Sequence, residues 1–118
     1  MYTVYGIPNC NTVKKSLDWL DQHSIEYRFH NYKKDKISLT QLNNWCKQIH
    51  WQELINKKGT TWKKLDASLQ LSVTNQKAAT HLMAEYTSVI KRPVIELDEK
   101  IVAVGFDENE YEKVFVKK

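Results

Sequence analysis

Glycine occurs three times and proline twice in the 118 residues, well under the usual ~7% and ~5%. That shortage argues against an all-β sandwich or barrel, whose many tight turns need both, and leaves helix as the dominant element. Cysteine is equally scarce. Cys10 and Cys46 are too few for a disulfide scaffold, so in a reducing compartment each thiol is either buried or reactive. No apolar run approaches the ~18 residues of a membrane span. The first residues, Met1-Tyr2-Thr3-Val4-Tyr5, carry neither the charged leader nor the long apolar stretch of a signal peptide, and the expectation is a cytoplasmic, non-membrane protein. Internal repeats, low-complexity tracts and Pro/Gly/Ser linkers are also missing, which points to one domain over 1–118.

What is present is an ordinary globular mixture, 42% apolar and 27% charged, sufficient for a core. The net charge of +4 conceals an asymmetry. Residues 1–95 carry 14 Lys+Arg against 7 Asp+Glu, and residues 96–118 carry 4 against 7. The lysines fall in scattered pairs (Lys14-Lys15, Lys33-Lys34, Lys57-Lys58, Lys63-Lys64), which reads as solvated faces and not as one nucleic-acid surface.

Tyr2 to Ile7, rich in β-branched and aromatic residues and bounded by Gly6 and Pro8, reads as a strand buried on both faces. Val13, Leu17 and Leu20 recur at helical spacing over 11–23. Ile25, Tyr27 and Phe29 alternate with Glu26, Arg28 and His30 as a second strand, so the crossover is parallel. Ser38 to Gln41 fits a capping box, with Leu39, Leu42, Cys46 and Ile49 on one face of a helix over 39–49. A short helix from Trp51 to Asn56 ends at Lys57-Lys58-Gly59 as a C-terminal cap, Thr60-Thr61-Trp62 restarts it, and a last helix covers 75–88 until Arg92-Pro93. Val94–Leu97 and Ile101–Val104 form an antiparallel hairpin. Asp107 and Glu110 then cap a helix to about Phe115, with Phe106 and Tyr111 spaced as a hydrophobic staple. The order βαβ, helices, ββα defines an α/β, thioredoxin-like mixed sheet with a helical insertion at about 38–90 between the halves.

Cys10 lies where the first strand hands over to the first helix, and the unpaired N–H groups and dipole of a helix terminus favour an anion there. Lys14, one turn on, adds a cation, so the thiol should ionise readily. Val13 stands where a resolving cysteine would complete CxxC, and Ser16 stands where a phosphate loop would need arginine. A monothiol mechanism therefore requires an external thiol. Cys46 shares a face with Leu42 and Ile49 and reads as buried. Cys46 and His50 lack further ligands to complete a tetrahedral set, so no metal is expected. Arg92 is one of two arginines beside 16 lysines, and the proline after it faces the cysteine loop in this fold, where a guanidinium fork could hold a thiolate or carboxylate. Arg28 reads as a solvent-facing charge. Trp19, Trp45, Trp51 and Trp62 read as packing and not as a base-stacking platform, and no nucleic-acid partner is expected.

Tyr5 to Lys15, Glu53 to Leu65 with its Gly59-Thr60-Thr61-Trp62 core, Lys91-Arg92-Pro93-Val94-Ile95 and Val104-Gly105-Phe106-Asp107 together resemble the arsenate reductase (ArsC)/Spx family, most closely its YffB-type branch. The resemblance implies a thioredoxin-like fold, a catalytic Cys10, a cis Pro93 and a glutathione-dependent thiol reductase. Glutathione would then be the co-substrate, acting with a small or protein disulfide. Asn9, Asn11, Thr12, Lys14, Arg92 and Pro93 would be the substrate-binding set. Arsenate reductases of this family use three arginines around the oxyanion. Here Asn56 stands at the helical one, no arginine follows Pro93, and Val13 removes the CxxC switch typical of Spx regulators, which bind RNA polymerase.

Overall fold

The computed structural model describes residues 1–116. They fall into two compact units, Met1–Asp35 with the chain from Arg92 onward, and Lys36–Lys91. No described helix is long and apolar enough to cross a membrane.

In the first unit, strand β1 (Tyr2–Gly6) is buried from Thr3 onward, as expected of a strand covered on both faces. Helix α1 (Asn11–Gln22) buries Val13, Ser16, Trp19 and Leu20. Strand β2 (Tyr27–Asn31) runs parallel to β1, with Tyr2 opposite Tyr27 and Gly6 opposite Asn31. It starts two residues later than the alternation from Ile25 suggests, because the chain from His23 to Ile25 is engaged in closing α1 through Ser24 N–H to Asp21 O and Ile25 N–H to Leu20 O. A one-turn helix α2 (Tyr32–Asp35) follows, unforeseen because four residues carry no readable period. Strands β3 (Val94–Leu97) and β4 (Lys100–Val104) form the expected hairpin. Its turn residues Asp98 and Glu99 have φ of 51° and 69°, the left-handed pair a two-residue type I′ turn requires. The sheet order is β2-β1-β3-β4, with β1 and β3 antiparallel.

One face of this sheet packs with α1 and the closing helix α8 (Glu108–Tyr111) around Val4, Trp19, Leu20, Ile95, Tyr111 and Phe115. Asp107 accepts from the Glu110 N–H at 3.0 Å, and the Phe106 and Tyr111 rings meet edge to face at 5.0 Å, so cap and staple both form. Beyond Tyr111 the helix widens into a π turn over Glu112–Val116. The Tyr111 hydroxyl donates to Gly105 O and lies 2.8 Å from Ser16 Oγ. With its proton committed to Gly105 it accepts from Ser16, and one phenol thereby ties α1 to the end of β4.

In the second unit, α3 (Leu39–Cys46) starts at Ser38, whose hydroxyl accepts from Gln41 N–H at 3.1 Å. It ends three residues short of Ile49, and its buried face is Leu42 and Trp45, while Leu39 is exposed. The wide Trp45 ring, fully buried, turns that face inward in place of the Leu39-Cys46 stripe. Helix α4 (Trp51–Leu54) stops early because Ile55 turns extended and bridges Ile90, flanked by Asn56 N–H to Val89 O and Lys91 N–H to Leu54 O. Gly59 is not a C-terminal cap. Its φ of −78° and ψ of 156° make it the N-cap of α5 (Thr60–Lys64). Helix α6 (Ala67–Ser72) is largely exposed, which explains why no apolar period announces it. Helix α7 (Gln76–Glu85), capped by Asn75, buries Ala79, Leu82 and Met83 and packs on α3.

Burial pushes the Tyr111 phenol up to about 12, although the Ser16 hydrogen bond opposes the shift. A raised phenol contributes stability that is fully present below its unfolded value of about 10 and lost as pH rises through about 12. Denaturant midpoints should therefore fall across that window, with a shallower slope in Tyr111→Phe. At neutral pH that variant, which leaves Ser16 and Gly105 O without their partner, should lose about 1–3 kcal/mol. A pH-independent midpoint between 10 and 12 would contradict the assignment.

Candidate active site

Cys10 is the N-cap of α1, with φ −131° and ψ 121°, so its side chain stands at the end where the first helical N–H groups lack intrahelical partners. The approach of strand to helix depends on Gly6. A Cβ there would lie 2.8 Å from Val13 Cγ2, and Val13 is fully buried and stiff about χ1. Glycine thus lets the end of β1 close onto the first turn of α1 and delivers the Val13 amide to the sulfur.

The antiparallel register, Thr3 opposite Glu96, Val4 opposite Ile95 and Tyr5 opposite Val94, continues past β3 toward Pro93 and Arg92 as β1 runs on toward Cys10. The Arg92–Pro93 peptide is cis. Pro93 is buried, and its carbonyl accepts from Gly105 N–H at 2.7 Å.

Burial opposes ionisation of Cys10, but four contributions outweigh it: the Val13 N–H, a hydrogen bond from the Arg92 side chain, the Arg92 charge and the Thr12 N–H. The thiol accordingly titrates below its ordinary value. Cys46 has no such donors, and burial alone pushes it up. Expecting Lys14 to supply the stabilising charge requires correction. Lys14 is exposed and its backbone N–H bonds Cys10 O at 2.9 Å, and the cation acting on the sulfur is Arg92. Asn9, Asn11 and Thr12 are exposed beside Cys10. Arg28 is exposed on β2. Asn56 belongs to the second unit, where its Oδ1 accepts from Lys58 N–H at 3.2 Å. Sequence reasoning missed Glu96, which is buried on β3 and accepts from the Tyr5 hydroxyl at 2.9 Å. The available signal was a carboxylate inside the apolar run Val94-Ile95-Glu96-Leu97.

A four-stranded mixed sheet opened by β1-α1-β2, with Cys10 at the N-cap position of α1 and an Arg–cis-Pro corner, defines a thioredoxin-like cysteine protein. The ArsC family model matches residues 5–114, and the chain belongs to that family. It is similar to an uncharacterised protein of Haemophilus influenzae, 44% identical over 98% of this chain and 99% of the relative. The solved structure of a YffB protein superposes with a TM-score of 0.91 at 39% identity, covering 98% of this chain and 100% of the other. The global transcriptional regulator Spx of Listeria innocua is 29% identical over 93% of this chain and 83% of its own.

Alkylation against pH should show Cys10 reacting with a midpoint below that of an ordinary cysteine and Cys46 lagging at neutral pH. Arg92→Ala should slow Cys10 about tenfold or more, since charge-assisted hydrogen bonds contribute roughly 1.5–3 kcal/mol, and Arg28→Ala should leave it unchanged. Equal labelling of the two thiols, or equal rates in the two arginine variants, would remove Arg92 from the site.

Proposed function

We propose that the protein is a glutathione-dependent monothiol oxidoreductase with Cys10 as nucleophile. The observation that carries this reading is the asymmetry at the sulfur: donors from Arg92, Val13 and Thr12 favour the thiolate, while the residue three along, where a resolving thiol would sit, is the buried Val13.

The Cys10 thiolate attacks one sulfur of a disulfide, forming a new S–S bond and expelling the other sulfur as a thiolate. Glutathione thiolate then attacks the mixed disulfide, breaking the bond to Cys10, and returns the Cys10 thiolate. Where Cys10 has attacked the glutathionyl sulfur of a glutathione mixed disulfide, the first adduct is already glutathione's own, the product is oxidised glutathione, and one glutathione thiol is consumed for each substrate thiolate released. Arg92 stabilises the attacking and returning thiolate and offers its fork to a carboxylate of the incoming thiol. Asn9, Asn11, Thr12 and the Pro93 corner line the approach, and Lys14 adds positive charge at its rim.

Incubation with oxidised glutathione should add one glutathionyl group by intact mass to the wild type and none to Cys10→Ser. No adduct on the wild type, or an adduct that survives in Cys10→Ser, would overturn the proposal. The similarity to Spx favours a second reading, a binding module for a transcription protein. Stoichiometric co-purification with polymerase subunits, without glutathione turnover, would establish that one in its place.

Arsenate is expected to be a poor substrate even with glutathione and glutaredoxin supplied. Removing one oxyanion donor commonly costs 10²–10³ in rate. The chain has only two arginines, one of them exposed on β2. Arsenite formation barely above a Cys10→Ser blank is the expected result. Sustained turnover of several per second would show that lysines or amides replace the guanidiniums.

A further inference from the structure

The sheet carries a second polar constellation, on the face opposite the Val4–Ile95 core. Residues directly across a strand pair share a face, so the register places Thr3, Tyr5, Arg28, His30 and Glu96 together. Glu96 is 7% exposed and Tyr5 5%, and the Tyr5 hydroxyl donates to Glu96 Oε1 at 2.9 Å. Tyr5 also stacks obliquely on His30, ring centroids 4.7 Å apart, and lies 6.2 Å from Tyr32. Tyr32 is fully buried, and its hydroxyl has no hydrogen-bond partner.

A buried carboxylate needs hydrogen bonds and an opposite charge. Tyr5 supplies one hydrogen bond. His30 shares the face and stacks on Tyr5, the described lysines of this unit are exposed, and its two arginines carry the permanent charges left to consider. Arg28 is exposed on the edge strand, with β1 between it and β3. Arg92 is half-buried, and its charge acts on the Tyr32 phenol together with those of Tyr5 and Glu96, which puts all four groups in one electrostatic neighbourhood. The same Arg92 side chain hydrogen-bonds the Cys10 sulfur. We infer that Glu96, held by Tyr5, is a positioning residue that fixes the Arg92 guanidinium against Cys10. The inference rests on the reading of Cys10 and Arg92 as the reacting pair.

The sign of the effect separates positioning from simple field effects. A carboxylate acting through its own charge disfavours a nearby thiolate, so neutralising it would make Cys10 ionise more easily. A carboxylate that holds Arg92 does the reverse, because its loss lets the guanidinium swing away.

The experiment is the alkylation rate of Cys10 against pH in the wild type, Glu96→Gln, Tyr5→Phe, Arg92→Ala and the Arg92→Ala/Glu96→Gln double variant. Glu96→Gln should raise the midpoint and slow the reaction at pH 7 by about 3- to 10-fold, a tenfold loss of thiolate corresponding to one unit. Tyr5→Phe should act in the same direction and less. Adding Glu96→Gln to Arg92→Ala should change the rate by less than about twofold, since the partner it acts through is gone. A midpoint at or below that of the wild type, or an undiminished effect in the Arg92→Ala background, overturns the inference. Should Glu96→Gln fail to fold, Tyr5→Phe decides alone: a raised midpoint supports positioning, and an unchanged one refutes it. A wild-type midpoint equal to that of an ordinary cysteine defeats the Cys10–Arg92 reading and this inference with it. A depressed wild-type midpoint that Glu96→Gln leaves unchanged defeats only the inference.

Discussion

The antiparallel pairing of β1 with β3 is the constraint on which the site depends. The two strands are adjacent in the sheet although 91 residues separate Tyr5 from its hydrogen-bond partner Glu96. Because they run in opposite senses, the end of β1 that leads into Cys10 and the start of β3 that follows Arg92 emerge at the same edge. A parallel pairing would send the two to opposite ends of the sheet. Gly6 and Val13 refine this placement by letting strand and helix close on each other, and Gly105 N–H holds the Pro93 carbonyl on the other side. The chemistry at the sulfur is thus a consequence of strand order first and of side-chain identity second.

The contrast between Cys10 and Cys46 shows how small terms decide reactivity. Both thiols are partly buried, and burial alone disfavours the charged form of each. A helix terminus contributes roughly 0.3–1 kcal/mol, and a charge-assisted hydrogen bond roughly 1.5–3 kcal/mol. Against partial burial the two together prevail at Cys10. Lacking both, Cys46 is driven the other way. Lys14 illustrates the limit of proximity in sequence, for an exposed ammonium is a screened and mobile charge. Arg92, distant in sequence, brings a rigid planar donor directly to the sulfur.

Much of this was legible before the structure. β-Branched and aromatic residues bounded by Gly and Pro marked β1, the Val94–Val104 hairpin needed only two apolar runs and a polar gap, and the Phe106/Tyr111 staple and Asp107 cap were local patterns that the fold realised. The position of Cys10 was legible, since Asn9 and Asn11 flank it at a strand-to-helix junction, and the structure makes it the N-cap of α1. The misreadings share a cause. By residue type Gly59 reads as a helix C-terminal cap, but its backbone serves the helix after it and not the one before. The stripe through Leu39 and Cys46 competed with Trp45, and burial of the larger ring decided which face turned inward. Glu96 and its Tyr5 partner could not be paired from sequence, because a carboxylate in a strand reads as solvent-facing until the register shows what lies across from it.

A site with one guanidinium has a definite electrostatic capacity, and that capacity bears on which reaction it suits. In thiol–disulfide exchange a single negative charge enters with the attacking sulfur, spreads over the sulfurs in line and leaves with the departing one. Total charge is conserved, and one cation with two or three N–H donors at the attacking end matches it. Attack on arsenate adds a thiolate to an oxyanion that already carries charge on several oxygens, so charge accumulates and more donors must converge before the barrier falls. The groups gathered on Cys10, two backbone amides and one arginine, are those that the proposed thiol–disulfide exchange calls for. The Glu96 carboxylate sharpens the match. A negative charge near the arginine is a poor companion for a site that must collect anionic oxygens. It is tolerable, and useful for orientation, in one that handles a single sulfur-borne charge.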